Sequence, residues 1–188
     1  MLTVMLLLVA ILLTLLALWL FARAITGVVR LTQGAPPFVP LPSVAVSVAV
    51  DALDLRDDDT VFDLGCGDGR ILKEVLRRAP GSRAVGVEHD IVPWMLARIN
   101  LRREIAAGRC QLVRGDFYRA DVRPATKIFL YLFPKTMDAL LPKLRAELQP
   151  GVTVVSADFK FTGMEPVEMK VLHDRLRRLG REIRVYRF

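Results

Sequence analysis

The stretch VFDLGCGDGR, residues 61–70 of a 188-residue chain, decides how the rest is read. A short apolar run ends in an acid, Asp63, and glycines follow at alternate positions, Gly65, Gly67 and Gly69. A helical-looking segment, ILKEVLRRA, comes next. Glycine lets a chain leave a strand through a sharp turn and lets the backbone approach a ligand closely. The pattern predicts a nucleotide-type site at the carboxyl end of a first β-strand, where open α/β sheets bind their ligands.

Spacing narrows the ligand. The dinucleotide fingerprint G-x-G-x-x-G requires a third glycine at position 70, where this chain has Arg70. The form present is acid-x-G-x-G-x-G, which resembles motif I of the class I S-adenosylmethionine-dependent methyltransferases. The resemblance implies S-adenosyl-L-methionine as cofactor and Asp63, Gly65, Cys66, Gly67 and Gly69 among its binding residues. The glycine turn would lie against the methionine part, and the acid would help to hold loop and cofactor.

Downstream segments extend the pattern. AVGVEHD (84–90) reads as a buried strand ending in Glu88, about twenty residues after the glycines, where an acid accepts both ribose hydroxyls. A helix is expected over 91–107, then a strand in CQLVRGDF. By the same resemblance, Asp116 would reach the adenine amino group and Phe117 would pack on the ring. KIFLYLF (127–133) is nearly continuous in apolar residues, as a strand covered on both faces should be, and Phe133-Pro134 closes it. Two short helical pieces are expected around Pro142, ending at Pro150-Gly151. VTVVSADF supplies a fifth strand, and VEMKVL with EIRVYRF a final pair, the latter alternating as an antiparallel edge would. LPSVAVSVAVDAL reads as an extra helix before the first strand, with Pro42 near its first turn. The fold class is therefore α/β, a Rossmann-like doubly wound sheet of about seven strands preceded by one transmembrane helix.

The transmembrane reading rests on residues 1–22, which carry no charged side chain and are dominated by leucine. About twenty such residues span a hydrocarbon core of roughly 30 Å. A cleaved signal peptide would start basic and have a shorter apolar stretch, and a buried core helix is disfavoured because nothing in this run shows a polar face. Arg23 and Arg30 follow the span, so the carboxyl side is expected to be cytoplasmic. The expected organisation is an anchor over 1–24, a proline-rich linker over 25–40 and a catalytic domain over 41–188. The localisation is then a single-pass protein of the cell membrane with its catalytic domain on the cytoplasmic side.

The chain holds 27 basic and 20 acidic residues, a net +7. Its last nineteen residues contain seven bases (Lys170, Arg175, Arg177, Arg178, Arg181, Arg184, Arg187) against Asp174 and Glu182. This basic carboxyl-terminal edge suits anionic lipid or a solvated surface equally. Aromatic residues are sparse there, so nucleic acid is not an expected partner. Cys66 and Cys110 have neither metal nor disulfide-framework spacing, and His89 and His173 form no cluster; no metal is expected.

A narrower resemblance covers most of residues 37–166. PFVPLP, DLGCGDGRIL, GVE, FLYLFP and LLPKLRAELQPGVTVVSADFKFTGMEP together are similar to the lysine methyltransferases of the ATP synthase c subunit and the adenine nucleotide translocase, and to related archaeal protein-lysine methyltransferases. That resemblance implies lysine N-methylation of a protein, in the first instance a membrane protein. It places residues 37–42 and 131–134 at the border of cofactor and acceptor, with Tyr131 and Pro134 the acceptor-side residues. Met164 stands where the family commonly has tryptophan, and DRLRRLGRE is outside the shared pattern. Methyl transfer from a sulfonium needs an aligned nucleophile more than an acid–base pair, and positioning supplies up to about 7–11 kcal/mol. Two alternatives stay open at this point: a methyltransferase for a lipid-soluble small molecule, and a non-catalytic cofactor-binding module.

Overall fold

A leucine-rich run without charge gives the first element, α1 (Leu2–Thr32). The computed structural model describes residues 2–32, 39–172 and 180–188. The chain divides into two units, 1–37 and 38–188. Within α1, the stretch Thr3–Phe21 has a mean hydropathy of 3.0 and none of it is buried. Within that stretch the Thr14 hydroxyl donates to the Ala10 carbonyl at 2.8 Å, which satisfies it without water. By length and composition this helix is sufficient to cross a membrane. It continues past residue 24, so residues 25–32 of the expected linker are helical, and residues 33–38 lie outside the described residues.

The second unit opens with α2 (Ser43–Ala52), capped by Pro42 in an extended conformation. There follow β1 (Thr60–Leu64), α3 (Arg70–Arg78), β2 (Arg83–Glu88), α4 (Ile91–Asn100), α5 (Arg102–Ala106) and β3 (Cys110–Arg114). Then come β4 (Lys127–Leu130), α6 (Pro134–Glu147), β5 (Thr153–Ala157), β6 (Glu168–Val171) and β7 (Glu182–Arg187). The seven strands form one sheet in the order β3-β2-β1-β4-β5-β7-β6. β1 to β5 are mutually parallel, and β7 runs antiparallel to both β5 and β6.

Strand residues alternate between two cores, as the period of two requires. Phe62, Ile128, Leu130, Val154 and Tyr186 pack with Met137, Leu140, Leu141 and Leu144 of α6. Val61, Phe129, Val155, Ile183 and Val185 pack on the opposite face with Ala45, Ala49 and Val50 of α2 and Ile71 and Val75 of α3. The doubly wound α/β reading holds.

Four local expectations need correction. The helix expected over 91–107 is two, broken at Leu101, whose fully buried side chain lies under the glycine turn. The strand expected over 127–133 stops at Leu130, because its partner β1 ends at Leu64 and turns away at Gly65. The two pieces around Pro142 are one continuous α6. Pro142 sits on its exposed face, where the carbonyl it leaves without a donor can meet water. Finally, β7 is antiparallel but interior, and the sheet edge is β6.

Candidate functional site

β1 leads into a turn in which Gly65, Gly67 and Gly69 have φ of +89°, +56° and +76°, a region that strongly favours glycine. Space is equally restrictive. A Cβ on Gly69 would lie 2.6 Å from Leu101 Cδ1, and one on Gly65 would lie 3.1 Å from Leu132 Cδ2. The second contact brings the residues after β4 directly against the turn. The turn is sewn to β2 by Gly65 and Cys66 N–H groups donating to the Val87 carbonyl at 2.8 and 3.1 Å.

Glu88, at the tip of β2, faces this turn. Its Oε2 accepts from the Gly67 N–H at 2.9 Å and its Oε1 from the Asp90 N–H at 2.8 Å. Each oxygen keeps one further lone pair for a ligand hydroxyl. The Glu88 carbonyl accepts from the Gly115 N–H at 3.0 Å, which sets Asp116 beside it. Asp116 is exposed and caps a single 3₁₀ turn, accepting from the Tyr118 N–H at 2.9 Å. Phe117 is half-buried with its ring 4.7 Å from that of Tyr118.

Asp63 is the anomaly of the site. It is 3% exposed, with Glu88 and Asp68 the charged groups nearest to it. Burial, then the nearby Glu88 and Asp68, push its pKa well above the ordinary carboxyl range. A buried acid beside two further carboxylates asks for a cation. S-adenosylmethionine carries an ammonium and a sulfonium, and the bare glycine cradle leaves room for its backbone approach. The residues present fit it. Cys66 contributes only backbone to this surface, because its side chain turns into the core and would lie 2.8 Å from a Cβ on Gly86.

Three supports of the turn have no signature in the sequence. Arg70 donates through Nε and a terminal nitrogen to Asp68 at 2.9 and 2.6 Å, and through the other to the Leu41 carbonyl at 2.6 Å. Burial alone would raise Asp68, but Arg70 holds its pKa below the ordinary value. The Asn100 side chain donates to the Asp68 carbonyl at 2.9 Å. The residue that departs from the dinucleotide motif is thus the clamp of the turn.

Beyond β4, Tyr131 stacks on Phe159 at 6.1 Å and Phe133 meets Phe159 edge-on at 5.6 Å. These rings line the carboxyl ends of β4 and β5, next to the glycine turn. Pro134 is the first residue of α6 and is exposed, so it shapes the wall without chemistry of its own. Asp158, unannounced by the sequence, sits at φ +58° and accepts from the N–H groups of Gly180 at 2.6 Å and Arg181 at 2.8 Å. Its charge lies near the Tyr131 hydroxyl, whose pKa is pushed up to about 12 by burial first and then by that charge. In the basic tail, Arg184 is 9% exposed, pairs with Glu182 and donates to the Asp158 carbonyl, and Arg187 donates to Thr153. The Arg184 guanidinium is absorbed by the sheet, whereas Arg187 remains exposed; Arg175, Arg177 and Arg178 lie outside the described residues.

Comparison with known proteins gives a consistent picture. A family profile described as the ANTKMT methyltransferase domain matches residues 63–168. The chain is 36% identical over 138 residues to a protein-lysine N-methyltransferase of Saccharolobus islandicus, covering 73% of this chain and 86% of that one. It is 32% identical over 113 residues to the adenine nucleotide translocase lysine N-methyltransferase of Mus musculus, covering 57% of this chain and 46% of the mouse protein. The chain thus spans about half the length of that relative. Among solved structures, an RNA methyltransferase from Salinibacter ruber in complex with S-adenosyl-L-homocysteine superposes with a TM-score of 0.72 at 33% identity, covering 79% of this chain and 93% of that one.

Proposed function

The chain belongs to the ANTKMT methyltransferase family of S-adenosylmethionine-dependent enzymes, and on that premise we propose that it N-methylates lysine side chains of a protein held at a membrane surface. The observation that carries the acceptor is the protein-lysine N-methyltransferase of Saccharolobus islandicus, matched over 73% of this chain. The acceptor-side walls agree with it. Tyr131, Phe133 and Phe159 form an apolar, aromatic rim suited to the long methylene stem of lysine and, through their faces, to its cationic head.

When bound, S-adenosylmethionine supplies an activated methyl group. Asp63, Glu88, Asp116 and Phe117, with the Gly65–Gly67–Gly69 turn, are the residues that would hold it. A lysine must arrive at the reaction without its proton, and an apolar rim lowers its pKa from about 10.4 toward neutrality. The aromatic wall orients the amine and keeps water away, which is where this chain's contribution to rate would lie.

We read residues 1–24 as a membrane anchor and 41–188 as the catalytic domain on the cytoplasmic side. Support comes from the apolar run in α1 and from Arg23 and Arg30 just after it. A second reading, RNA as acceptor, is favoured by one observation: the Salinibacter ruber RNA methyltransferase is 33% identical to this chain.

Membranes and total RNA from cells lacking the gene, incubated with the purified chain and radiolabelled S-adenosylmethionine, test both. Label in a protein band that yields methyl-lysine on hydrolysis supports the proposal. Label in RNA or in the lipid extract instead would overturn it.

A further inference from the structure

α4 exposes a broad arc that carries no polar side chain. Pro93 and Ala97 are buried against the domain, while Ile91, Val92, Met95, Leu96 and Ile99 point outward at 39%, 39%, 52%, 43% and 56% exposure. At 100° per residue these five cover one continuous arc of about 140° with no polar side chain in it. A surface helix ordinarily presents its charged residues there. Five adjacent large apolar side chains form a patch of the kind that marks an interaction site.

The border of the arc says what kind. Arg98 lies over the half-buried Trp94 ring at 4.9 Å, an amphipathic pair of the type found where apolar and aqueous layers meet. Past the helix end, Lys73, Asn100, Arg102, Arg103 and Glu104 line a cleft of about 280 Å³ in which positive charges outnumber the negative one by two. An apolar face with a basic cleft beside it matches the acyl and phosphate layers of an anionic bilayer.

We propose that α4 is an interfacial helix: its Ile91–Val92–Met95–Leu96–Ile99 face enters the acyl boundary of an anionic membrane, and the Lys73–Arg102–Arg103 cleft seats lipid phosphate. α4 begins three residues after Glu88, so docking by this face brings the residue at the tip of β2 close to the bilayer surface. The inference deepens the membrane-surface reading above and assigns lipid contact to α4 in place of the carboxyl-terminal basic edge. It does not need α1 to span.

The test uses the full chain carrying Met95→Cys labelled with an environment-sensitive fluorophore. Cys66 and Cys110 are buried free thiols, and burial raises the pKa of both, Cys110 to about 12, so labelling goes to the new cysteine. The protein is reconstituted in phosphatidylcholine vesicles with and without about one third phosphatidylglycerol. Expected is a blue-shifted emission that brominated acyl chains quench, stronger with phosphatidylglycerol. Arg102→Gln and Arg103→Gln should each lower the docked-to-undocked ratio about fivefold. Emission that stays aqueous overturns the proposal, and a blue shift that brominated lipid does not quench overturns it in favour of a protein partner. Carbonate extraction of the same vesicles reports α1 separately: an integral chain with an aqueous label keeps the anchor and sinks α4, and an extracted chain with a quenched label does the reverse.

Discussion

Glu88 accepts the Gly67 N–H at 2.9 Å, so this carboxylate shapes the glycine turn, and it is the residue proposed to take the ribose hydroxyls of the cofactor. Glu88→Gln keeps one acceptor and loses the charge and the second acceptor. A hydrogen bond to a charged group is worth about 1.5–3 kcal/mol, so the dissociation constant for S-adenosylmethionine should rise about 10- to 100-fold. Isothermal calorimetry measures this directly. An unchanged constant would remove Glu88 from the cofactor site.

Asp63 gives a pH prediction of the opposite sign from most acids. Its folded pKa is raised by burial, with Glu88 and Asp68 adding to it. The folded state therefore holds the proton more tightly than the unfolded one, and stability falls as pH rises from the ordinary value near 3.8 toward the folded value. Above the folded value the penalty is complete. Asp63→Asn removes it, so the cofactor-free variant should melt higher than the wild type, by a margin that grows with pH across that window. The same variant should lose the thermal shift produced by S-adenosylmethionine. Equal melting curves at every pH would mean that Asp63 is not a buried charge.

How much of this fold and site is legible in the sequence depends on how local the cause is. The strand, turn and helix around Gly65 to Gly69, and the acid at Glu88, are readable because an apolar run, left-handed glycines and a strand-end acid are neighbours in sequence. The interior place of β7 is not. Its alternation comes from Arg184, a charged residue buried by pairing with Glu182 and the Asp158 carbonyl, and charge alternation alone cannot tell a paired interior arginine from a solvated one. The same pairing empties part of the basic tail of its meaning as a lipid-facing surface. Pro142 misleads for the reverse reason: a proline costs a helix a bond, but on an exposed face water replaces it. Asp158 and Arg70 acquire their roles only when segments 22–29 residues apart meet, and no local pattern encodes that.

Gly69 separates backbone strain from crowding. At φ +76°, with Leu101 Cδ1 2.6 Å from the point a Cβ would occupy, Gly69→Ala carries both costs, whereas Gly108, at φ +69° with nothing within 4 Å, carries only the first. A left-handed alanine costs about 1 kcal/mol and overpacking adds about 1–3 kcal/mol. Urea unfolding should show Gly69→Ala losing at least about 2 kcal/mol and Gly108→Ala about half of that or less. Equal losses would mean that Leu101 yields freely and that the break between α4 and α5 does not pin the turn.

Tyr131 stacks on Phe159, and with its pKa pushed up to about 12 by burial and the Asp158 charge it keeps its proton across the range in which a lysine amine titrates. Its place in the wall is therefore that of an aromatic surface, not of a base. For transfer to a lysine peptide, kcat should rise with pH as the acceptor loses its proton, in the wild type and in Tyr131→Phe alike. Tyr131→Ala should instead raise KM about tenfold, the loss expected when an aromatic contact of about 1.5 kcal/mol disappears, with the pH dependence of kcat intact. The decisive comparison is the shape of the profile. If Tyr131→Phe flattens the rise in kcat, the hydroxyl takes part in moving the proton and the reading of Tyr131 as an aromatic surface fails.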